Sequence, residues 1–181
     1  MKKKLLFVFI VILFGINSKL KAQTSTAVTT AVGAVLVVPT ALTQTSPLHF
    51  GTINLITIAA GTCIFSTSGV RTFTGGLSGS ASVPLATNAA YTVTGKASQT
   101  YAVTLPAAAI TIKVGSSVAA PDNMTVTAFT ARFLAAPADA LTSKLSETGT
   151  DRFVVGATLT SMASQNAGIY AGTFNVSIDY N

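Results

Sequence analysis

The chain holds 181 residues, 49% of them apolar and 9% charged, with 11 basic and 5 acidic side chains, one histidine and one cysteine. Five of the bases (Lys2, Lys3, Lys4, Lys19 and Lys21) fall in the first 22 residues. Beyond them six bases face five acids, a net charge of +1, so charge gives no footing for nucleic acid or for an anionic membrane surface as a partner.

The start of the chain reads as a targeting segment. Lys2, Lys3 and Lys4 precede a twelve-residue apolar run over 5–16, followed by a polar stretch that ends at Ala22. A basic head, a short apolar run and a small residue before a polar one predict a secretory signal peptide over 1–22, cleaved after Ala22. Twelve apolar residues fall short of the roughly 20 needed to cross a bilayer, so membrane contact is expected only during export. The expected location is secreted or cell surface, by way of the periplasm. The 159 residues that follow suit one domain with a real core.

Residues 23–38 read QTSTAVTTAVGAVLVV, with Val28, Val32, Leu36 and Val38 in one phase before Pro39 interrupts. This stretch is either the domain's first strand or a free extension. We divide it into a candidate N-terminal donor arm over 23–33 and a domain over 34–181, with Leu36 still in phase with the arm.

From there the pattern is a series of short β segments. Strands are expected near 55–58, 61–66, 70–74, 90–94, 100–105, 110–114, 124–130 and 153–160, with a flexible glycine-rich loop over 74–80. Residues 135–150 read as loop, with one helical turn around Pro137 to Leu141. About nine strands, Thr- and Val-rich and punctuated by Gly and Ser, predict an all-β fold, an antiparallel β-sandwich of immunoglobulin-like type.

The last stretch, GIYAGTFNVSIDYN, alternates from Tyr170 onward, with Tyr170, Gly172, Phe174, Val176, Ile178 and Tyr180 on one side. A period of two predicts one half-buried strand; twelve residues at about 3.3 Å each give roughly 40 Å. Gly168 stands fourteenth from the end and Tyr180 is penultimate. That pair resembles the C-terminal signature of pilus subunits of the chaperone–usher type. In those proteins the last strand borders a groove that accepts a strand from another chain. The candidate groove strand is therefore Gly168, Tyr170, Phe174, Val176, Ile178 and Tyr180, and the candidate insert is Val28, Val32 and Leu36.

Further motifs carry a wider resemblance: Leu48-His49-Phe50-Gly51, the Gly69-Val70-Arg71 turn within 61–76, Tyr91 to Gly95, Thr100-Tyr101 and Val155-Gly156-Ala157-Thr158-Leu159. Their order is similar to that of a bacterial pilin-like family catalogued as domain of unknown function 4402. The resemblance implies export, an immunoglobulin-like fold and no reaction. Unlike many chaperone–usher pilins, this chain lacks the cysteine pair that staples the early strands, since Cys63 is alone.

Residues that carry chemistry are sparse. His49, between Leu48 and Phe50, reads as structural or superficial, and Cys63 as a buried small hydrophobe. Asp139, Glu147 and Asp151 can be imagined around a weak calcium site, but their spacing matches no loop of fixed ligand positions. The glycines of 75–79 lack the lysine and helix of a phosphate cradle. Arg71 and Arg132 read as solvated or paired. Tyr91, Tyr101, Tyr170 and Tyr180 offer either a glycan-binding face or core and rim residues.

No enzyme, metal or cofactor is expected. The leading reading is a structural subunit of a surface fibre, joined by strand donation to copies of itself or related subunits, with a periplasmic chaperone as a candidate partner. The alternative is a monomeric surface adhesin or carbohydrate-binding module. A secreted hydrolase with dispersed carboxylates ranks far behind.

Overall fold

The computed structural model describes residues 33–34 and 39–180. The expected signal peptide and the donor-arm residues Val28, Val32 and Leu36 lie outside the described residues.

Among the described residues thirteen strands follow in chain order: β1 (Ala41–Ser46), β2 (Ile53–Leu55), β3 (Gly61–Phe65), β4 (Arg71–Gly75), β5 (Leu77–Gly79), β6 (Ala89–Thr94), β7 (Thr100–Thr104), β8 (Ile110–Val114), β9 (Asn123–Phe133), β10 (Thr142–Lys144), β11 (Thr150–Ser161), β12 (Tyr170–Ala171) and β13 (Ser177–Tyr180). The only helical element among the described residues is a 3₁₀ turn, Ala120–Asp122. The fold is all-β and every described pairing is antiparallel, compatible with an immunoglobulin-like sandwich.

The large sheet runs β1-β6-β11-β9-β8-β12. Strand β11 is its spine. On one flank Thr150 to Val155 pair with β6 and Ala157 to Ser161 pair with β3, while β9 occupies the other flank. Gly156 sits at the junction, where a Cβ would strike the Phe65 carbonyl oxygen. A three-stranded layer, β10-β7-β13, and a two-stranded one, β2-β5, complete the fold.

Two apolar clusters lie along the sheet. The first is closed: Tyr91 and Val93 of β6, Tyr101 and Val103 of β7, Ala131 and Phe133 of β9, and Phe153 and Val155 of β11 are all buried. Tyr91 stacks on Phe153 with centroids 5.1 Å apart, and Tyr101 meets Phe133 edge-on at 5.8 Å. The second has only Cys63, Val126, Ala157 and Leu159 fully buried; Leu48, Phe50, Ile53, Phe73, Ile110, Ile112, Met124 and Phe129 around it are half-covered. One end of the sandwich is therefore sealed and the other is open.

Strand β9 feeds both clusters through a bulge. The β9–β11 register shifts between Gly156 and Thr158, and Ala128 adopts a positive φ of 48°. Met124 and Val126 face inward before the bulge, Phe129, Ala131 and Phe133 after it. One inserted residue flips the side-chain phase, so even and odd positions reach the same face.

Four expectations need correction. The strand expected over 55–58 ends at Leu55, and Ile58 is 80% exposed. The expected loop over 74–80 contains β5, whose Leu77 is buried. The expected helical turn near Pro137 is absent, and β10 follows with Leu145 buried behind it. The uninterrupted terminal strand is split. Tyr170–Ala171 pairs with β8 in the large sheet, Ser177–Tyr180 pairs with β7 in the other layer, and 172–176 belong to no strand. The alternation survives, with Phe174, Val176, Ile178 and Tyr180 half-buried between exposed neighbours. What breaks the ladder is the crossing from one layer to the other.

Candidate functional site

The open end of the sandwich holds an apolar cavity of about 810 Å³. Its floor is Ile110 and Ile112 of β8, Met124 and Val126 of β9 and Leu159 of β11. Residues 48–55 form one wall and residues 166–174 the other. No carboxylate, lysine or arginine lines it among the described residues. Such a surface can bind apolar groups and backbone.

The first wall is shaped by its backbone. His49 exchanges both backbone hydrogen bonds with Thr87, at 2.8 Å each, so the backbone groups of Leu48 and Phe50 point away from Thr87. The His49 imidazole is structural: its Nδ1 accepts the Gly51 N–H at 2.8 Å. Gly51 has φ +77°, and a Cβ there would stand 2.8 Å from the Ala86 nitrogen. Arg71 donates through Nη1 to the carbonyls of Phe50 (2.9 Å) and Thr52 (3.1 Å), and through Nη2 to Ser80 (3.0 Å). Partly buried, it fastens the wall to the loop behind. Arg132 likewise donates to the Thr67 carbonyl at 2.9 Å.

The second wall is tied to the 3₁₀ turn. Gln165, buried, brings the two N–H groups of its Nε2 within hydrogen-bond reach of three acceptors, the carbonyls of Pro121 and of Asn123 (3.1 Å) and the Tyr170 hydroxyl (2.8 Å), while its Oε1 accepts the Met162 N–H at 3.0 Å. The Tyr170 hydroxyl lies 2.6 Å from the Asn166 carbonyl oxygen and 3.0 Å from that of Pro121. Below this knot only Tyr170 and Ala171 pair with β8, opposite Val114 and Lys113, so the outer edge of Ile110 to Ile112 has no strand partner among the described residues. Gly172 lets the chain pass close to the floor, since a Cβ there would be 2.8 Å from Ile112 Cγ2.

The six candidate groove residues are divided by this geometry. Gly168, Tyr170 and Phe174 line the cavity, and Phe174 meets Phe129 with centroids 4.9 Å apart. Val176, Ile178 and Tyr180 pack instead on the closed cluster, where the Tyr180 hydroxyl donates to the Thr94 carbonyl at 3.1 Å. Sequence reasoning missed the floor residues of β8 and β9, and the roles of Arg71 and Gln165. A strand over 110–114 was expected, but not that its outer edge from Ile110 to Ile112 has no strand partner among the described residues.

The other candidates resolve without chemistry. Tyr91 and Tyr101 are core residues, which removes them from a glycan-binding face. Asp139 accepts from Thr67 Oγ1 at 2.6 Å, whereas Asp151 Oδ2 accepts from the Tyr101 hydroxyl at 2.9 Å and from Ser143 Oγ at 2.6 Å. No group of three metal-ligating side chains occurs among the described residues. Cys63 is fully buried and free, and burial pushes its thiol up to about 11, an effect the Arg71 charge partly opposes.

Comparison with curated proteins and with solved structures gives no match. The family described as Domain of unknown function (DUF4402) matches residues 40–180, from just before β1 to the end of β13, and the chain belongs to that family.

Proposed function

We propose that this chain is an exported structural subunit of a bacterial surface fibre, joined to its neighbours by β-strand donation, and that it is not an enzyme. The observation that carries the reading is the half-covered second cluster: an apolar floor between two walls, under a cavity of about 810 Å³. A strand from another copy would supply both missing components, backbone hydrogen bonds and alternate apolar side chains. Residues 23–36 have the pattern for it, with Val28, Val32 and Leu36 in one phase. Burying three such side chains is worth roughly 5–9 kcal/mol before the ordering cost of about 1–2 kcal/mol per residue. The arm therefore needs a groove to order it. Head-to-tail contacts of this kind propagate rather than close, which gives a filament.

The test is the migration of mature protein on SDS gels with and without heating. A ladder that collapses to one band on boiling is expected. Deleting 23–33 should abolish the ladder and leave a folded protein, and Val32→Asp should weaken it by placing a charge in an apolar groove. A ladder that persists after the deletion, or an unfolded deletion protein, would overturn the proposal.

A further inference from the structure

We propose that the groove is preformed: Arg71 and Gln165 hold its two walls apart, so the folded protein accepts a strand without a second protein keeping the site open. The inference rests on the strand-donation reading and adds how the empty site is maintained. An empty apolar groove ordinarily collapses, because closing its walls removes apolar surface from water. Here each wall is held back by a polar side chain, Arg71 bonding backbone carbonyls of its wall and Gln165 the Tyr170 hydroxyl and nearby backbone.

Arg71 sits behind the 48–55 wall and spends three N–H donors on it and on Ser80, and its guanidinium also lies 5.4 Å from the Phe73 ring centroid. A planar fork with several fixed donors sets the position of two carbonyls at once, which a lysine cannot do. Moving Phe50 or Thr52 into the groove would strip those bonds. Gln165 does the same for the opposite wall. Buried and bonded to Pro121, Asn123, Tyr170 and Met162, it anchors the segment that carries Gly168 and Tyr170 to the turn before β9. Leaving any of these buried groups unpaired opposes inward collapse. Both side chains act from behind the walls and are absent from the cavity lining except through Tyr170, so they are positioning residues, not contacts for the insert.

The occupant is the segment 24–36 of another copy. A groove that is open only part of the time takes up its ligand in proportion to the open fraction. Loss of a clamp should therefore slow uptake, whereas the finished joint, filled by the insert, should be unaffected.

The experiment uses the purified mature chain alone and a large excess of a fluorescent peptide of residues 24–36, which competes with the chains' own arms for the groove, followed by anisotropy and by a heat-labile band on SDS gels. Native protein should bind the peptide, and a Val32→Asp peptide should not bind. Arg71→Met and Gln165→Leu should each slow uptake at least tenfold, with heat resistance of the finished joint unchanged and near-UV circular dichroism confirming the fold. Arg71→Lys, which keeps the charge and fewer donors, should fall between. Uptake by the clamp variants at the wild-type rate would overturn the inference and leave strand donation standing. So would peptide incorporation only during refolding from denaturant, which would mean the native groove is closed. Incorporation in neither setting would remove strand donation by this segment, and the inference with it.

Discussion

Asp151 ties the two layers together, and its removal has a calculable cost. Its Oδ2 accepts the Tyr101 hydroxyl from β7 and the Ser143 hydroxyl from β10, while the carboxylate itself is on β11 of the large sheet. Tyr101 is fully buried. Asp151→Ala therefore removes two charge-assisted hydrogen bonds and leaves the Tyr101 hydroxyl without its partner. A buried polar group left unpaired costs about 1–3 kcal/mol, and a hydrogen bond to a charged group is worth about 1.5–3 kcal/mol. Since the carboxylate also regains hydration in the unfolded chain, we expect a net loss of about 3 kcal/mol. For a chain of this size that lowers Tm by roughly 6–12 °C. Tyr101→Phe removes the hydroxyl with its need for a partner and should cost only about 1–2 kcal/mol. The double variant should then cost about 1–2 kcal/mol less than the sum, because the orphaned hydroxyl is gone. Urea unfolding of the mature wild type, both single variants and the double variant closes the cycle. Costs that add to within about 0.5 kcal/mol would refute the reasoning, since residues that share a bond must couple.

Alkaline pH should weaken the fold. Burial raises the Cys63 thiol to about 11 from 9.0 and raises the Tyr91, Tyr101 and Tyr180 hydroxyls, with the Asp151 contact adding to the effect at Tyr101. Groups raised on folding give stability that is complete below their unfolded values and is lost above them, so urea midpoints should fall from about pH 9 and more steeply past about pH 10; a flat profile to pH 11 would contradict this. Native Cys63 should resist thiol reagents until denaturant is added, and rapid labelling of the native protein, or a dimer lost on reduction, would show the thiol to be accessible. Gly75→Ala should destabilise by several kcal/mol or block folding, because φ is +62° and the new Cβ would strike the Ala60 carbonyl; an unchanged urea midpoint would show that this turn relaxes freely.

Periodicity and composition were enough for the fold class. Alternation located β3, β4, β6, β7 and β8 nearly to the residue, because each of these strands keeps one partner phase throughout and its side chains record the burial directly. Proline and glycine marked most of the breaks. The lone cysteine as a core residue, and His49 as structural or superficial, followed from residue type and neighbours; His49 is exposed and accepts the Gly51 N–H. Gly168, Tyr170 and Phe174, singled out by the terminal alternation, line the cavity.

What only the tertiary structure decided was who pairs with whom. The terminal stretch keeps its period of two from Tyr170 to Tyr180 while its backbone leaves β8 for β7, because side-chain phase reports burial and says nothing of which sheet supplies the hydrogen bonds. The Ala128 bulge hides for the same reason: one exposed alanine reverses the phase of β9 and carries it from the open cluster to the closed one. The cavity forms where strands far apart in sequence leave Ile110, Ile112 and Met124 half-covered. The hydrogen bonds that fix its walls reach across 21 residues from Arg71 to Phe50 and 44 from Gln165 to Pro121, distances over which no local pattern carries information.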